Sequence, residues 1–171
     1  TWRLRTRESW HSVGRRSYRV WPTDLDIFNH MNNGVYLTLM DLSRYDLALR
    51  SGAWNKWKKL GWYPVVVAAN ITFRKSLTPW QSFDIESKVI GWDDQAIYFE
   101  QRFTVADEVY TVAIARMRFL KRSRGILTPQ EVIDATGGFA GPAPQLPEWV
   151  KNWAAESALP KGKEPAPSIW K

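Results

Sequence analysis

The sequence predicts an α+β domain in which one antiparallel sheet wraps around a single long buried helix. Residues 33–51 form an apolar stretch that ends before Gly52, a residue type that commonly closes helices. From Pro64 to Lys121 the chain instead alternates with period two, and the polar joints GWDDQ and ADEV interrupt it. Such short joints are typical of antiparallel hairpins. A sheet curled around one helix satisfies both patterns.

The predicted elements follow in order along the chain. Residues 15–21, RRSYRVW, alternate polar and apolar side chains and predict a first strand. In the helix of residues 33–51, apolar side chains cover more than one face, which is typical of a buried helix. The segment AWNKWKKLGWYP predicts a tryptophan-rich connection with a short helical turn. Four strands are then predicted in the segments VVVAANITFRK, SFDIESKVIG, AIYFEQRFTV and VYTVAIARMRFLK.

The C-terminal part of the chain predicts a capped helix and then a tail. Thr128 precedes Glu131 by three residues, the spacing of a capping box. The residues after Gly137 are rich in proline, glycine and alanine, which indicates a tail rather than a second domain. We therefore predict one domain at residues 1–136 and a tail at 137–171. Three tail tryptophans are expected to be able to dock on the domain: Trp149, Trp153 and Trp170.

Composition narrows the chemistry that the chain can carry. A chain of 171 residues fits one domain with a real core. The absence of cysteine excludes disulfides, thiol nucleophiles and cysteine-ligated zinc, and two histidines argue against a histidine-rich metal site. We expect neither a metal nor a cofactor. No run approaches 18 consecutive apolar residues and the start TWRLRTRE is not a hydrophobic signal segment, so we expect no membrane span and a cytoplasmic location.

The net charge of +7 is concentrated near the start of the chain, where six arginines lie: Arg3, Arg5, Arg7, Arg15, Arg16 and Arg19. A positive field of this kind attracts polyanions, anionic membrane surfaces or small phosphorylated ligands. The alternative is a solvated basic arm followed by a polar strand. No nucleic-acid recognition module accompanies the charge, so we expect no nucleic-acid partner.

The loop that enters the long helix, DLDIFNHMNNG, concentrates residues that can act on a carbonyl group. Five of them crowd this segment: Asp26, Asn29, His30, Asn32 and Asn33. The unpaired amides and the positive end of the helix dipole would stabilise a developing oxyanion. A nearby carboxylate could activate water or attack the carbon, and an imidazole could orient either partner. The alternative is that Asp24 or Asp26 caps a turn and His30 is an ordinary loop residue.

The stretch DLDIFNHMNNGVYL, followed by the apolar helix, resembles the hotdog-fold thioesterases of the 4-hydroxybenzoyl-CoA thioesterase superfamily. It is especially similar to the branch that includes thioesterase-superfamily-member-6-like proteins and many bacterial acyl-CoA thioesterases. The resemblance covers roughly residues 13–133 and implies a hotdog fold. It also implies that the catalytic carboxylate is Asp26 and the motif histidine His30, and that the helix-start amides near Asn33 and Gly34 polarise the carbonyl.

Beyond the motif, the resemblance implies several substrate contacts: Gly34, Tyr36, Asp41, Asn70, Thr72 and Arg74. Asp41 lies where some hotdog enzymes carry their acid, although a pair with Arg44 or Tyr45 one turn on is the simpler interpretation. Asn70 could donate a hydrogen bond to a pantetheine amide. Two basic clusters could contact the phosphates of coenzyme A or could simply be solvated: Arg74 with Lys75, and Lys121 with Arg122 and Arg124. Three tryptophans could line an acyl pocket or pack against the sheet: Trp54, Trp57 and Trp62.

The expected function is hydrolysis of an acyl thioester, with acyl-CoA or an acyl carrier protein as the substrate. The resemblance implies a homodimer or a dimer of dimers, because one hotdog leaves a sheet edge exposed and a ligand tunnel half built. Two other functions stay open. A hotdog hydratase or dehydratase uses the same residue types, and a non-catalytic lipid-binding hotdog keeps the tunnel without needing Asp26.

Overall fold

The computed structural model describes residues 9–139, 141–160 and 162–168. Its strands are β1 (Gly14–Arg19), β2 (Trp62–Phe73), β3 (Ser82–Trp92), β4 (Ile97–Val105), β5 (Glu108–Lys121) and β6 (Ile126–Leu127). Its helices are α1 (Asn33–Arg50), α2 (Ala53–Leu60), α3 (Pro129–Ala135) and α4 (Glu148–Glu156). Four residues discussed above lie outside the described residues: Arg3, Arg5, Arg7 and Trp170.

The strands form one antiparallel sheet in the order β1-β3-β4-β5-β2, and β6 pairs with β5. This order places β2 at an edge, with β5 as its neighbour. The sheet has two faces, which the register of β2 with β5 defines, because directly opposed residues in an antiparallel pair share a face. Val66, opposite Met117, marks the inner face, and Asn70, opposite Ile114, marks the outer face.

The main core lies between α1 and the inner face of the sheet. Tyr36 and Met40 of α1 belong to the same buried cluster as Ala115 and Met117 of β5. Helix α1 is buried on this side only. Its other side leaves four large side chains 43–46% exposed: Leu37, Leu42, Tyr45 and Leu49. The predicted buried helix is confirmed on the side that the sheet covers, and its other apolar side chains are exposed because one curled sheet covers one side of a helix.

The predicted elements are otherwise confirmed, and the cap of α3 has the geometry that its sequence indicates. The hydroxyl of Thr128 accepts a hydrogen bond from the Glu131 amide at 3.3 Å, and the Glu131 carboxylate accepts one from the Thr128 amide at 2.8 Å. The connection after α1 forms a full helix, α2, rather than a single turn. Among the described residues no helix has the length and apolar character needed to cross a membrane.

The segment from Leu146 to Ala154, which includes most of α4, packs against the outer face of the sheet. Val150 and Ala154 of α4 share a second buried cluster with Tyr98 and Ile114. The chain before α4 approaches β3 so closely that a Cβ atom on Gly91 would lie 2.9 Å from the carbonyl oxygen of Pro144. The expected docking is thus seen for Trp153, which is partly buried against this cluster, whereas Trp149 is 51% exposed.

His11 gives the fold a pH dependence. Its ring lies between Trp10 and Phe139, with centroid distances of 5.1 and 4.7 Å, and burial lowers the pKa of His11 from its ordinary value of 6.5. The folded protein therefore favours the neutral ring, while the unfolded chain takes up a proton near pH 6.5. The stability from this difference is present above that pH and is lost as the pH falls towards the folded pKa.

We expect His11→Phe, which keeps an aromatic ring, to reduce the fall in the free energy of unfolding between pH ~7.5 and ~5. Urea denaturation of the variant and the parent protein at both pH values measures this difference. Equal pH dependence in the two proteins would show that His11 does not contribute to it.

Candidate active site

The loop from Asp26 to His30 is closed by the backbone and the side chain of Asp26. The Asp26 amide donates to the His30 carbonyl at 2.8 Å, and the Asn29 amide donates to the Asp26 carbonyl at 3.1 Å. Asp26 Oδ1 accepts hydrogen bonds from the amides of Phe28 at 2.9 Å and His30 at 3.1 Å. Asn29 takes the left-handed conformation that this tight loop requires, with φ of 64°. One carboxylate oxygen thus fixes the loop, and Oδ2 accepts no hydrogen bond within the described residues.

The start of α1 leaves one amide available. The side chain of Asn32 accepts a hydrogen bond from the Gly34 amide at 2.8 Å, and the Asn32 carbonyl accepts one from the Val35 amide at 2.9 Å. For the Asn33 amide the described part of the chain supplies no acceptor. Of the two helix-start amides that the resemblance implies, Asn33 is therefore the one that can meet a substrate carbonyl. It lies at the positive end of the helix dipole.

Hydrogen bonds fix this loop to its neighbours. The Met31 amide donates to the Leu77 carbonyl, and the Asn32 amide donates to the Asp24 carbonyl, each at 2.8 Å. The carboxylate of Asp24 accepts from the Trp21 amide at 2.9 Å. Capping by Asp24 or Asp26 was the alternative to a catalytic role, and Asp24 has this capping role in the structure. The side chain of His30 is exposed, and it makes no hydrogen bond to a described residue.

The tip of the loop is apolar and open to solvent. Ile27 is 92% exposed and Phe28 is 73% exposed. Two neighbouring exposed apolar side chains thus form an apolar surface on the loop that contains Asp26, a feature that often marks a contact site.

Arg74 and Lys75 lie at the end of the sheet that is next to the Asp26 loop. Leu77, two residues after Lys75, accepts the hydrogen bond from the Met31 amide that fixes this loop. Both cations contact Glu108: Arg74 at 2.9 Å and Lys75 at 2.8 Å. Hydrogen bonds from Lys75 and then Arg74 lower the pKa of Glu108. The three exposed side chains together carry one net positive charge, which remains available to an anion.

The second basic cluster lies at the other end of the sheet. Lys121 is opposite Trp62, whereas the Arg74 end of β2 is marked by Phe73 opposite Thr111. The 12 residues of β2 separate the two ends, which corresponds to a distance on the order of 35 Å. Arg122 and Arg124 follow Lys121, so one chain does not bring this cluster to the Asp26 loop.

Asp41, itself 57% exposed, pairs with Arg44, which is the centre of a buried polar network. Arg44 is 8% exposed and donates hydrogen bonds to the carboxylate of Asp41 and to the side-chain oxygen of Gln101. The Gln101 side-chain nitrogen donates in turn to the Met40 carbonyl at 3.0 Å and the Ser87 hydroxyl at 2.8 Å. Burial lowers the pKa of Arg44, and the charge of Asp41 opposes this effect. The pairing of Asp41 with Arg44 is thus observed.

A cavity of about 150 Å³ opens between α1, α2 and β2, and the Asp41–Arg44 pair contributes to its lining. Its apolar walls include Trp10, Trp57 and Tyr45. Asp41 is eight residues after the start of α1, which places the cavity about 12 Å along the helix from the Asp26 loop. Neither Arg44 nor Trp10 was predicted to line a ligand site. An arginine within a strongly apolar helix was the available signal for Arg44.

The remaining expected contacts lie apart from this region. Asn70 is opposite Ile114, and Thr72 is opposite Val112, on the outer face of the sheet. The single chain therefore does not bring them to the Asp26 loop, and their substrate role stays a prediction. Tyr36 is buried in the core between Phe73 and Phe103, at 4.9 Å from each ring.

The three tryptophans expected near an acyl pocket differ in their surroundings. Trp57 is buried in the core and also lines the cavity. Trp54 packs against Tyr45 at 5.4 Å, and Trp62 is partly buried against the main core. Among the described residues, no group of three or more histidine, aspartate or glutamate side chains is close enough to hold a metal ion.

Comparison with known proteins places this arrangement in a family. The model of the thioesterase-like superfamily matches residues 20–154. The chain belongs to this superfamily. The crystal structure of YbaW, a probable thioesterase from Escherichia coli, superposes with a TM-score of 0.67 at 20% sequence identity, over 71% of this chain and 94% of that one. This likeness confirms the predicted hotdog fold.

Two curated relatives are similar in sequence. Protein THEM6 of Xenopus laevis is 35% identical over 136 residues, which are 78% of this chain and 63% of that protein. The probable thioesterase YBR096W of Saccharomyces cerevisiae is 27% identical over 123 residues, 68% of this chain and 51% of that protein. The chain thus spans only part of the length of these relatives.

Proposed function

We propose that this chain hydrolyses acyl thioesters, with acyl-CoA as the substrate class and Asp26 as the catalytic carboxylate. Membership of the thioesterase-like superfamily supports the reaction class. The observation that carries the assignment to Asp26 is the difference in hydrogen bonding between its two carboxylate oxygens. Oδ1 is held by two backbone amides, and Oδ2 is left free beside the start of α1.

In the proposed reaction, the thioester carbonyl oxygen accepts a hydrogen bond from the Asn33 amide. Negative charge develops on that oxygen as the carbonyl carbon is attacked, and the amide and the helix dipole stabilise it. The Asp26 carboxylate either removes a proton from the attacking water or attacks the carbon itself. If Asp26 activates water, the C–S bond then breaks, the proton taken by Asp26 passes to the thiolate, and the thiol and the acid leave. If Asp26 attacks the carbon, breaking the C–S bond releases the thiolate, which takes a proton from water, and leaves an anhydride between the acyl group and Asp26, which a water molecule then hydrolyses to the acid. His30, exposed beside the loop, orients the water or the carbonyl.

The acyl group has a path from this loop towards the cavity along α1. The exposed side chains of Phe28 and Leu37 lie on the loop and on the first turns of the helix, and the cavity walls of Trp57 and Tyr45 follow further along. The buried Arg44 ends this path with a polar group. An acyl group that carries a hydroxyl or carbonyl oxygen could accept a hydrogen bond there, whereas a purely aliphatic chain could not.

Product analysis distinguishes the proposed reaction from its two rivals. The protein is incubated with saturated and 2-enoyl-CoA substrates, and free thiol, free acid and β-hydroxyacyl-CoA are quantified. Hydrolysis yields thiol and acid in equal amounts. A hydratase would yield β-hydroxyacyl-CoA without thiol, and a binding protein would yield none of these products while still retaining the ligand.

The functional unit that we propose is a dimer in which the β2 strands of two copies pair edge to edge. β2 is a long edge strand whose exposed side chains include Val66, Val67 and Phe73. An uncovered edge of this length and apolar character promotes association of chains. Pairing of two β2 strands would also bring a second chain towards the exposed side of α1, so that residues of both copies would form each ligand tunnel.

Val67→Lys is expected to convert the dimer into a monomer, because a lysine on a sheet edge opposes strand pairing. Val67 is 44% exposed, so the single chain has room for the longer side chain. Sedimentation velocity at micromolar protein measures the change. Val13→Lys, at an exposed valine outside the sheet, is the matched control and should remain dimeric. A monomeric parent protein, or a dimeric Val67→Lys variant, contradicts the proposed interface.

We further propose that Arg74 and Lys75 contact the phosphates of coenzyme A. Lys75→Gln leaves Arg74 paired with Glu108 and removes the net positive charge, so the KM for acyl-CoA should rise several-fold. The KM for a short acyl-pantetheine thioester, which lacks the nucleotide, should not change. Rising salt should raise the first KM in the parent protein and have less effect in the variant. Lys121→Gln, at the opposite end of the sheet, is the control. Equal effects on both substrates would contradict the phosphate contact.

A further inference from the structure

A second cleft lies on the outer face of the sheet, on the side away from α1. It has a volume of about 970 Å³ and opens between β5 and the C-terminal segment, which lines it with residues of α4, with residues 158–160 and with Gly162. Its volume is within the range of ligand sites, roughly 300–1,000 Å³. The main core and the sheet separate it from the cavity beside α1, because its floor residues Tyr98 and Arg116 belong to the outer face.

The floor of the cleft contains an ordered polar network. The Tyr98 hydroxyl donates to the Asp93 carboxylate at 2.6 Å, and Arg116 donates to the Tyr98 oxygen at 2.8 Å. Burial opposes ionisation of Asp93, but hydrogen bonds from Tyr98 and from two backbone amides outweigh it and lower the pKa of Asp93. Burial, with the Asp93 carboxylate next, raises the pKa of Tyr98 to about 12. Asp93 is therefore ionised and balances the charge of Arg116.

Arg118 lies beside this network without a counter-ion. Its guanidinium donates to the neutral side chain of Gln95. Its Nε atom is buried and has no hydrogen-bond partner within the described residues, and no carboxylate of those residues forms a salt bridge with it. The guanidinium as a whole is half-buried at the edge of the cleft, and a cation without a counter-ion in such a place favours an anionic ligand that pairs with it. Three cations line the cleft among the described residues: Arg116 pairs with Asp93, and Lys151 pairs with Glu148 at 3.3 Å, so Arg118 is the one without a counter-ion.

The wall opposite Arg118 is aliphatic. Ala155, Ala158 and Leu159 line it from the C-terminal segment. Ile126 of β6 is opposite Leu120 and therefore shares the sheet face of Arg118, where it adds an apolar side chain to the floor. Ile126 and Leu159 are largely exposed in this structure. A ligand that covers these side chains while its anionic group contacts Arg118 would satisfy both walls. A single negative charge matches the one uncompensated guanidinium, and a carboxylate matches its planar fork of donors.

We propose that this outer cleft binds an aliphatic carboxylate, with the carboxylate on Arg118 and the chain against the α4–Leu159 wall. The site is separate from the proposed thioesterase site and does not depend on Asp26. Its ligand class is that of a long-chain fatty acid anion, for which the cleft provides both a charge and a hydrophobic surface.

Isothermal titration of the full chain with dodecanoate below its micelle concentration tests the site. Arg118→Gln should weaken binding about tenfold or more, because it removes a charge-assisted hydrogen bond. Arg102→Gln, at an exposed outer-face arginine that pairs with Glu100, is the matched control and should bind as the parent does. Acetate, which lacks the chain, should bind much more weakly.

Ala158→Glu supplies an independent test if Arg118→Gln fails to fold. It introduces a negative charge at an exposed position of the aliphatic wall. This charge repels the carboxylate of dodecanoate and should also weaken its binding. Thermal melting confirms the fold of each variant. No dodecanoate binding by the parent, equal binding by the folded variants and the parent, or acetate binding as strong as dodecanoate binding would each overturn the proposal. Equal binding would place the ligand elsewhere, for example in the cavity beside α1.

Discussion

Trp57→Ala is expected to lower the free energy of unfolding by about 3–5 kcal/mol, the range for truncation of a large buried aromatic side chain. Trp57 is 2% exposed and packs edge-on against Trp10 and Phe119, with centroid distances of 5.2 and 4.8 Å. Its removal enlarges the cavity that already lies beside α1. The surrounding side chains fill little of this larger space, so the cost of the cavity adds to the cost of the lost burial. Urea denaturation with the parent protein alongside measures the difference.

Trp149→Ala is the matched control, because Trp149 is 51% exposed on α4. A surface truncation of this kind changes stability by only about 0.5 kcal/mol. If Trp57 were mainly a lid over the acyl group, its truncation would cost under about 1 kcal/mol and would act chiefly on KM. Such a result would contradict the core role that the packing of Trp57 indicates.

The sequence predicted the fold well because its elements are locally consistent. The period-two alternation between Pro64 and Lys121 specifies strands. The capping residues Thr128 and Glu131 specify the start of a helix, and the structure contains both. The exposed side of α1 could not be predicted in the same way. Periodicity shows that a side chain such as Leu42 is apolar, but it does not show whether its own chain or another covers it.

The candidate site was predictable only in part. The motif indicated Asp26 and Asn33, whose positions depend on contacts within a single loop. It did not indicate that Asn32 would cap the Gly34 amide and leave Asn33 as the free donor. Contacts between residues that are distant in the chain were harder still to predict. The placement of Asn70 on the outer face depends on the register between β2 and β5 across a bulge, and a shift of one residue would reverse it.

Arg118 illustrates the same limit on the outer face. In the sequence it is one of several arginines in an alternating strand, and nothing local distinguishes it from Arg116. The difference arises from partners distant in the chain, because Asp93 balances Arg116, whereas the partner of Arg118 among the described residues is the neutral side chain of Gln95. Uncompensated charge is a property of the folded neighbourhood rather than of the residue type.

Asp26→Asn is expected to lower kcat for the best acyl-CoA substrate by ~10²–10⁴, the usual contribution of a general base. The substitution keeps the size of the side chain and an Oδ1 acceptor for the amides of Phe28 and His30, so the loop should remain closed. It removes the negative charge and the ability of Oδ2 to accept a proton or attack carbon. KM should change little if Asp26 acts mainly in the transition state.

Two acids nearby provide controls for this measurement. Asp24→Asn is the same substitution in the same loop, at a carboxylate that caps the Trp21 amide, and it should leave kcat near the parent value. Asp41→Asn tests the rival acid, which pairs with Arg44 in the structure. His30→Ala should cost on the order of tenfold, or about 1.4 kcal/mol, if the imidazole only orients the reacting groups.

The most direct test is therefore kcat for thiol release by the parent, Asp26→Asn, Asp24→Asn and Asp41→Asn proteins on one acyl-CoA substrate, with thermal melting to confirm that each is folded. Catalysis by Asp26 predicts that only the Asp26→Asn protein loses ~10²–10⁴ in kcat. Turnover near the parent rate in a folded Asp26→Asn protein would contradict the assignment. A comparable loss in Asp41→Asn alone would transfer the chemistry to the cavity beside Arg44.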